Sequence, residues 1–174
     1  MLVSKALQFA KDAHSGQLRR FTKEPYIYHP IRVTSELMKL SHVDDHLLAA
    51  GLLHDVVEDC DIKIGEVEQF FGAQVAQYVF EVTNQYTKEQ YSSLNRLERK
   101  QLEHQRLSGV SVEAQQIKLC DRLDNLRDLK EDTTKFKEVY IAESFLLLDA
   151  IGEAYPSLKE NIKSILDNLC WEIK

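Results

Sequence analysis

The apolar residues of this chain recur at intervals of three and four far more often than at two, the period of α-helices rather than of strands. Val3, Leu7, Ala10 and His14 share one stripe of a first helix. Pro30 sits where proline is tolerated, in the first turn of a second helix that runs to about residue 40. Asp44 or Asp45 caps a third, expected to continue to about residue 58. Helices over 64–71 and 73–84 are separated by Gly72, a stop signal for the first of them. A polar connection over 85–93 leads to helices at 94–107 and 112–129. The last pair covers 135–152 and 155–171, where Leu158, Ile162, Ile165, Leu166 and Leu169 form an apolar stripe. The pattern predicts an all-α fold, one bundle of about eight to ten helices.

Composition narrows this further. Three prolines and six glycines in 174 residues leave no long linker or low-complexity tract, so a single domain over 1–174 is expected. A hydrophobic content of 44% is ample for its core. Cys60, Cys120 and Cys170 show no CxxC spacing and read as reduced core cysteines rather than as disulfides or zinc ligands. No secretory signal is evident and no apolar run approaches the roughly 20 residues that span a bilayer, so a soluble, cytoplasmic protein is expected. The net charge of −6 argues against nucleic acid or anionic membrane as a partner. An anionic ligand must therefore meet a local cluster of cations. Apolar residues such as Trp171 permit a homodimer without demanding one.

Three segments place ionisable residues where their neighbours demand burial. In "GLLHDVVEDC", His54 and Glu58 are four apart, as are Asp55 and Asp59, so the two pairs occupy adjacent strips of one helix side. A charge taken out of water costs several kcal/mol unless compensated, by a metal or a solvent-filled cleft. "EPYIYHPIRV" holds His29 between aromatic residues and a proline; taken alone it is read as an N-terminal cap or a core histidine. In "IKLCDRLDNLRDL", Lys118, Asp121, Asp124, Asn125 and Asp128 fall on one face opposite the apolar residues, which a solvated face would explain as well. Together the segments offer two imidazoles and two carboxylates: His29, His54, Asp55 and Asp121. Such a mixed set suits Mn²⁺, Fe²⁺ or Zn²⁺ better than Mg²⁺ or Ca²⁺.

The order His29, His54-Asp55, Asp121 resembles the HD phosphohydrolase superfamily. The words "AHSGQLRRFTKEPYIYHPIRV", "GLLHDVVEDC", "VTNQY" and "IKLCDRLDNLRDL" resemble the hydrolase domain of the RelA/SpoT stringent-response enzymes and the stand-alone small alarmone hydrolases. The resemblance implies an all-α domain that binds one Mn²⁺ through those four residues and removes pyrophosphate from the 3′ position of (p)ppGpp, with neither synthetase nor regulatory domain. It assigns Glu58 and Asp59 to the attacking water and to proton transfer. It gives Arg19, Arg20 and Lys23 to the nucleotide, Arg96 to phosphates, Asn125 to the ribose or the water, and Tyr140 to a place near the phosphates. Lys23 replaces a usual glycine, Asp124 stands where "DRLHN" has histidine, and Asp128 where threonine is frequent. The added carboxylates oppose a polyphosphate unless paired or turned away. Two alternatives remain: an HD phosphohydrolase for (p)ppApp, the 2′-phosphate of NADPH or a nucleoside monophosphate, and a non-catalytic nucleotide-binding module.

Overall fold

The computed structural model describes residues 1–130, 132 and 134–172. Among these residues it contains α1 (Leu2–Ala13), α2 (Tyr28–Leu37), α3 (Asp45–Leu53), α4 (Val56–Asp59), α5 (Ile64–Phe71), α6 (Ala73–Val82), α7 (Arg96–Leu107), α8 (Val112–Leu129), α9 (Phe136–Ile151) and α10 (Pro156–Glu172). A 3-10 turn, Gly152–Ala154, joins the last two helices. Pairing of β type among the described residues is confined to one isolated bridge, Leu18 with Pro25, which closes the loop between α1 and α2. The all-α expectation holds, and no described helix is long and apolar enough to cross a membrane.

Caps explain most boundaries. Asp44 accepts the Leu47 N–H at 2.8 Å and opens α3. Asn95 and Glu98 form a reciprocal capping box that starts α7. Gly72, at φ 89°, separates α5 from α6 in a backbone region that side chains disfavour.

One expectation is corrected. The third helix does not run unbroken to residue 58: α3 ends at Leu53, Asp55 sits at φ −102° and ψ −6°, and α4 is a separate turn. His54 Nδ1 lies 2.8 Å from the Gly51 carbonyl oxygen, taking the acceptor that a continuous helix would offer to the Asp55 N–H. The break means that Asp55 and Asp59 belong to a new turn with its own direction.

α8 lies at the centre, packed against α2, α3, α6, α9 and α10. Leu119, Leu123 and Leu126 are fully buried on its apolar side, each stabilising the fold by about 1.5–3 kcal/mol relative to exposure. Its polar side is buried too: Asp121, Arg122, Asp124 and Asp128 are no more than 9% exposed. Burying an unpaired charge costs several kcal/mol, so this face must be matched by partners rather than by water. Gly51 sets the crossing of α3 on α2. A Cβ there would stand 2.6 Å from Leu37 Cδ1 and 3.1 Å from Thr34 Oγ1, so the helices approach through the missing side chain.

Candidate active site

α2 supplies His29, the α3–α4 break supplies His54 and Asp55, and α8 supplies Asp121. The three segments converge. His29 Nε2 lies 3.2 Å from His54 Nε2, 3.3 Å from Asp55 Oδ2 and 3.2 Å from Asp121 Oδ1. His54 Nε2 stands 3.1 Å from Asp55 Oδ2 and 3.9 Å from Asp121 Oδ1. Neighbouring ligands on an ion with bonds of about 2.1 Å are about 3 Å apart, close to most of these separations.

The hydrogen bonds around the cluster fix its polarity. His54 Nδ1 faces the Gly51 carbonyl and His29 Nδ1 faces Asp124 Oδ2 at 2.7 Å. Both are acceptors, so each ring carries a hydrogen on Nδ1 and can turn an Nε2 lone pair inward. Two such lone pairs 3.2 Å apart repel unless positive charge lies between them. The field supplies that demand: burial disfavours a charged His29, yet Asp121, Asp124 and Asp55 outweigh it and raise its pKa well above the ordinary value. Burial likewise works against an ionised Asp55, but His54 and His29 hold it well below the usual carboxylate range. The two nitrogens and the Asp55 carboxylate, with fixed rings, form a donor set that fits a divalent cation; Asp121 lies outside that group, with Oδ1 3.2 Å from His29 Nε2.

The cluster opens into a recess of about 170 Å³. Three carboxylates, Asp55, Glu58 and Asp121, and four cations, Arg96, Lys100, Lys118 and Arg122, line it together. Lys118 Nζ lies 3.6 Å from Asp121 Oδ2. Burial, with Lys118 and Arg122 nearby, pushes the Lys100 ammonium down to about 8. The Arg122 guanidinium lies 4.2 Å from the Tyr140 ring centroid and donates to Ser144 Oγ at 3.1 Å, while its buried Nε has no hydrogen-bond partner among the described residues. Arg96 donates two bonds, of 2.6 and 3.0 Å, to the buried Glu143. A second cavity, of about 360 Å³, adjoins the recess and shares Tyr26, Asn125 and Tyr140 with it. There the Arg20 guanidinium lies 4.9 Å from the Phe136 ring and 5.1 Å from the Phe21 ring, against Leu18 and Leu129.

A family model described as HD domain matches residues 6–148. This chain belongs to the HD-domain family. An HD domain implies a divalent metal, and His29, His54 and Asp55 have ligand atoms within 4.8 Å of one another. The chain is 42% identical over 129 residues to the guanosine-3′,5′-bis(diphosphate) 3′-pyrophosphohydrolase MESH1 of Drosophila melanogaster, covering 73% of this chain and 69% of that protein. The protein of the same name from Xenopus tropicalis is 34% identical over 171 residues, or 97% of this chain and 92% of its own. A solved structure of a metazoan ortholog of SpoT that hydrolyzes ppGpp superposes with a TM-score of 0.84 at 34% identity, covering 95% of this chain and 94% of that one.

Not every residue singled out from the sequence of this HD domain stands where it was expected. Arg19 is only 8% exposed and tied down: its Nε donates to Asp128 Oδ2 at 2.9 Å and its Nη2 to Asn125 Oδ1 at 2.6 Å. Asn125 Nδ2 in turn donates to Asp121 Oδ1 at 2.5 Å. Arg19 thus braces a metal-ligand candidate while also lining the larger cavity. Lys23 is exposed, adopts φ 60°, and lines neither cavity. Arg20, Asn125 and Tyr140 line the larger cavity, and Arg96 the recess. Glu58 faces the recess, its two oxygens accepting from the Asn84 N–H at 2.9 Å and Nδ2 at 2.6 Å. Asp59 does not line the recess; it reaches it through the Tyr26 hydroxyl, 2.7 Å from both Asp55 Oδ2 and Asp59 Oδ2. The extra carboxylates are paired, Asp128 with Arg19 and Asp124 with His29 and Arg32. Tyr26, Asn84, Lys100, Lys118, Arg122 and Glu143 were missed. The signal for Lys118 and Arg122 lay in their flanking of Asp121; for the others no local pattern marks them.

Proposed function

We propose that this chain is a metal-dependent (p)ppGpp 3′-pyrophosphohydrolase that uses Mn²⁺ in the cytoplasm, converting substrate and water to GDP or GTP and pyrophosphate. The observation that carries the reading is the junction of two dissimilar cavities. A cation-lined recess holding the His-Asp cluster meets an aromatic cavity large enough for a nucleoside, with Tyr26, Asn125 and Tyr140 common to both. A nucleotide carrying phosphates on its ribose has this division of character. The names of the relatives support the same substrate.

A bound divalent ion would be held by His29, His54, Asp55 and Asp121, acidifying a water and screening phosphoryl oxygens. The chain's own groups do the rest. Lys100, Lys118 and Arg122 attract the 3′-diphosphate, and their burial strengthens that attraction. Glu58, fixed by Asn84, faces the space where water would enter and orients it toward the phosphorus. The P–O bond to the 3′ oxygen then breaks; the proton given up by the attacking water passes through the Tyr26 hydroxyl to Asp59, and the same pair returns it to the leaving 3′ oxygen. Arg20, beside Phe21 and Phe136 in the larger cavity, offers a guanidinium cation to a base.

The test is turnover with Mn²⁺ of ppGpp, pppGpp, their adenine counterparts, NADPH and nucleoside monophosphates, with products identified. Release of pyrophosphate from the guanine alarmones at the highest kcat/KM is expected; orthophosphate from NADPH as the dominant product would refute the reading. Glu58→Ala should retain metal while kcat falls about 10²- to 10⁴-fold, whereas Asp55→Ala should lose both.

A further inference from the structure

Asp124 is completely buried one helical turn from the ligand candidate Asp121, at a position where the RelA/SpoT resemblance calls for histidine. Both of its oxygens are engaged. Oδ2 accepts from His29 Nδ1 at 2.7 Å and from Arg32 Nη2 at 3.1 Å, while Oδ1 accepts from Arg32 Nε at 2.7 Å. Arg32 also donates through Nη1 to Glu24 Oε1 at 2.6 Å. His29 and Arg32 are three apart on α2, and Asp121 and Asp124 three apart on α8, so two adjacent faces meet pair against pair. The His29 ring is thereby held at Nδ1 by Asp124, which leaves its Nε2 lone pair turned inward, 3.2 Å from Asp121 Oδ1.

We propose that Asp124, clamped by Arg32, is the positioning residue that orients His29 and strengthens it as a metal donor. This rests on the metal-centre reading above. A carboxylate on Nδ1–H fixes the tautomer and pushes electron density toward Nε2, so the ion is held more tightly. Arg32 plays two parts: it compensates a carboxylate that would otherwise be buried unpaired, and it stops Asp124 from rotating away from the ring. A mere helix-to-helix salt bridge between Arg32 and Asp124 would not require His29 as a third member.

The test is Mn²⁺ titration of the metal-stripped full chain, followed by electron paramagnetic resonance of the free ion, for the parent, Asp124→Ala, Asp124→Asn and Arg32→Gln. The Nδ1–H proton of His29 is followed by NMR in the same samples. Asp124→Ala should weaken Mn²⁺ about 10- to 100-fold and abolish the deshielded ring proton. Asp124→Asn, which keeps the shape and an acceptor but not the charge, should retain the proton signal and weaken Mn²⁺ at least about threefold. Arg32→Gln should weaken it less than Asp124→Ala does. If Asp124→Ala fails to fold, Asp124→Asn decides alone. An affinity within about twofold of the parent in a folded Asp124 variant would overturn the proposal. A parent that binds no divalent ion would overturn the metal centre with it. A parent that binds Mn²⁺ yet cleaves no 3′-diphosphate would refute only the assigned substrate.

Discussion

The chain presents cations to its site from two places, and they differ in what they are free to do. The loop before α2 carries Arg19, Arg20 and Lys23, prominent in sequence, yet Arg19 is spoken for by Asp128 and Asn125 and Lys23 faces solvent. The recess carries Lys100, Lys118 and Arg122, inconspicuous in sequence, brought together under α9 beside Tyr140 and Glu143. A cation's value to a ligand depends less on its presence than on its remaining unneutralised and poorly hydrated when the ligand arrives. By that measure Lys100 and Arg122 outrank Arg19 and Lys23, while Lys118 already has Asp121 Oδ2 at 3.6 Å.

The comparison is broken most sharply at Lys118. Lys118→Met should lower kcat about 10²- to 10³-fold, as loss of a buried electrostatic donor does; a single-turnover rate near that of the parent would return priority to the loop. Next in size is Arg20→Ala, which should raise KM about tenfold and leave kcat nearly unchanged, consistent with a stacking cation. A fall in kcat alone would move Arg20 from base to phosphate.

Lys100 makes a smaller, pH-dependent contribution. With its pKa pushed down to about 8, the free enzyme loses a recess cation as pH rises through that value, so kcat/KM should decline there. Lys100→Arg should remove that limb. The same depression has a sign for folding: protonation is disfavoured in the folded state, so stability should rise with pH from about 8 toward the unfolded value near 10.5. Chemical denaturation at pH 7.5 and 9.5 checks this, and a flat response would contradict it. The smallest effect belongs to Lys23. Held at φ 60°, it should be replaced by glycine with a gain of about 1 kcal/mol in unfolding free energy and little change in KM. A large rise in KM for Lys23→Gly would put the loop back at the substrate.

What could be read from sequence follows the same division. His29, His54, Asp55 and Asp121 were legible because each interrupts an apolar segment and because their order carries a motif. Lys100 was not, since nothing local distinguishes a cation under another helix from one in water; α9 decides it. Asp124 looked like a liability because its partners, His29 and Arg32, lie more than ninety residues away. The helix rhythm ran straight through His54 and Asp55 and hid the break, which depends on an imidazole taking the Gly51 carbonyl. The α8 boundaries, by contrast, came out as expected, its apolar stripe being long and regular.

Gly51 gives that arrangement its tolerance. α3 rests on Leu37 and Thr34 of α2 through a bare α-carbon, close to the two imidazoles those helices bring together. Alanine at this position would have to push aside the Leu37 δ-methyl and the Thr34 hydroxyl, a local repacking at the seam of the two helices that carry the imidazoles.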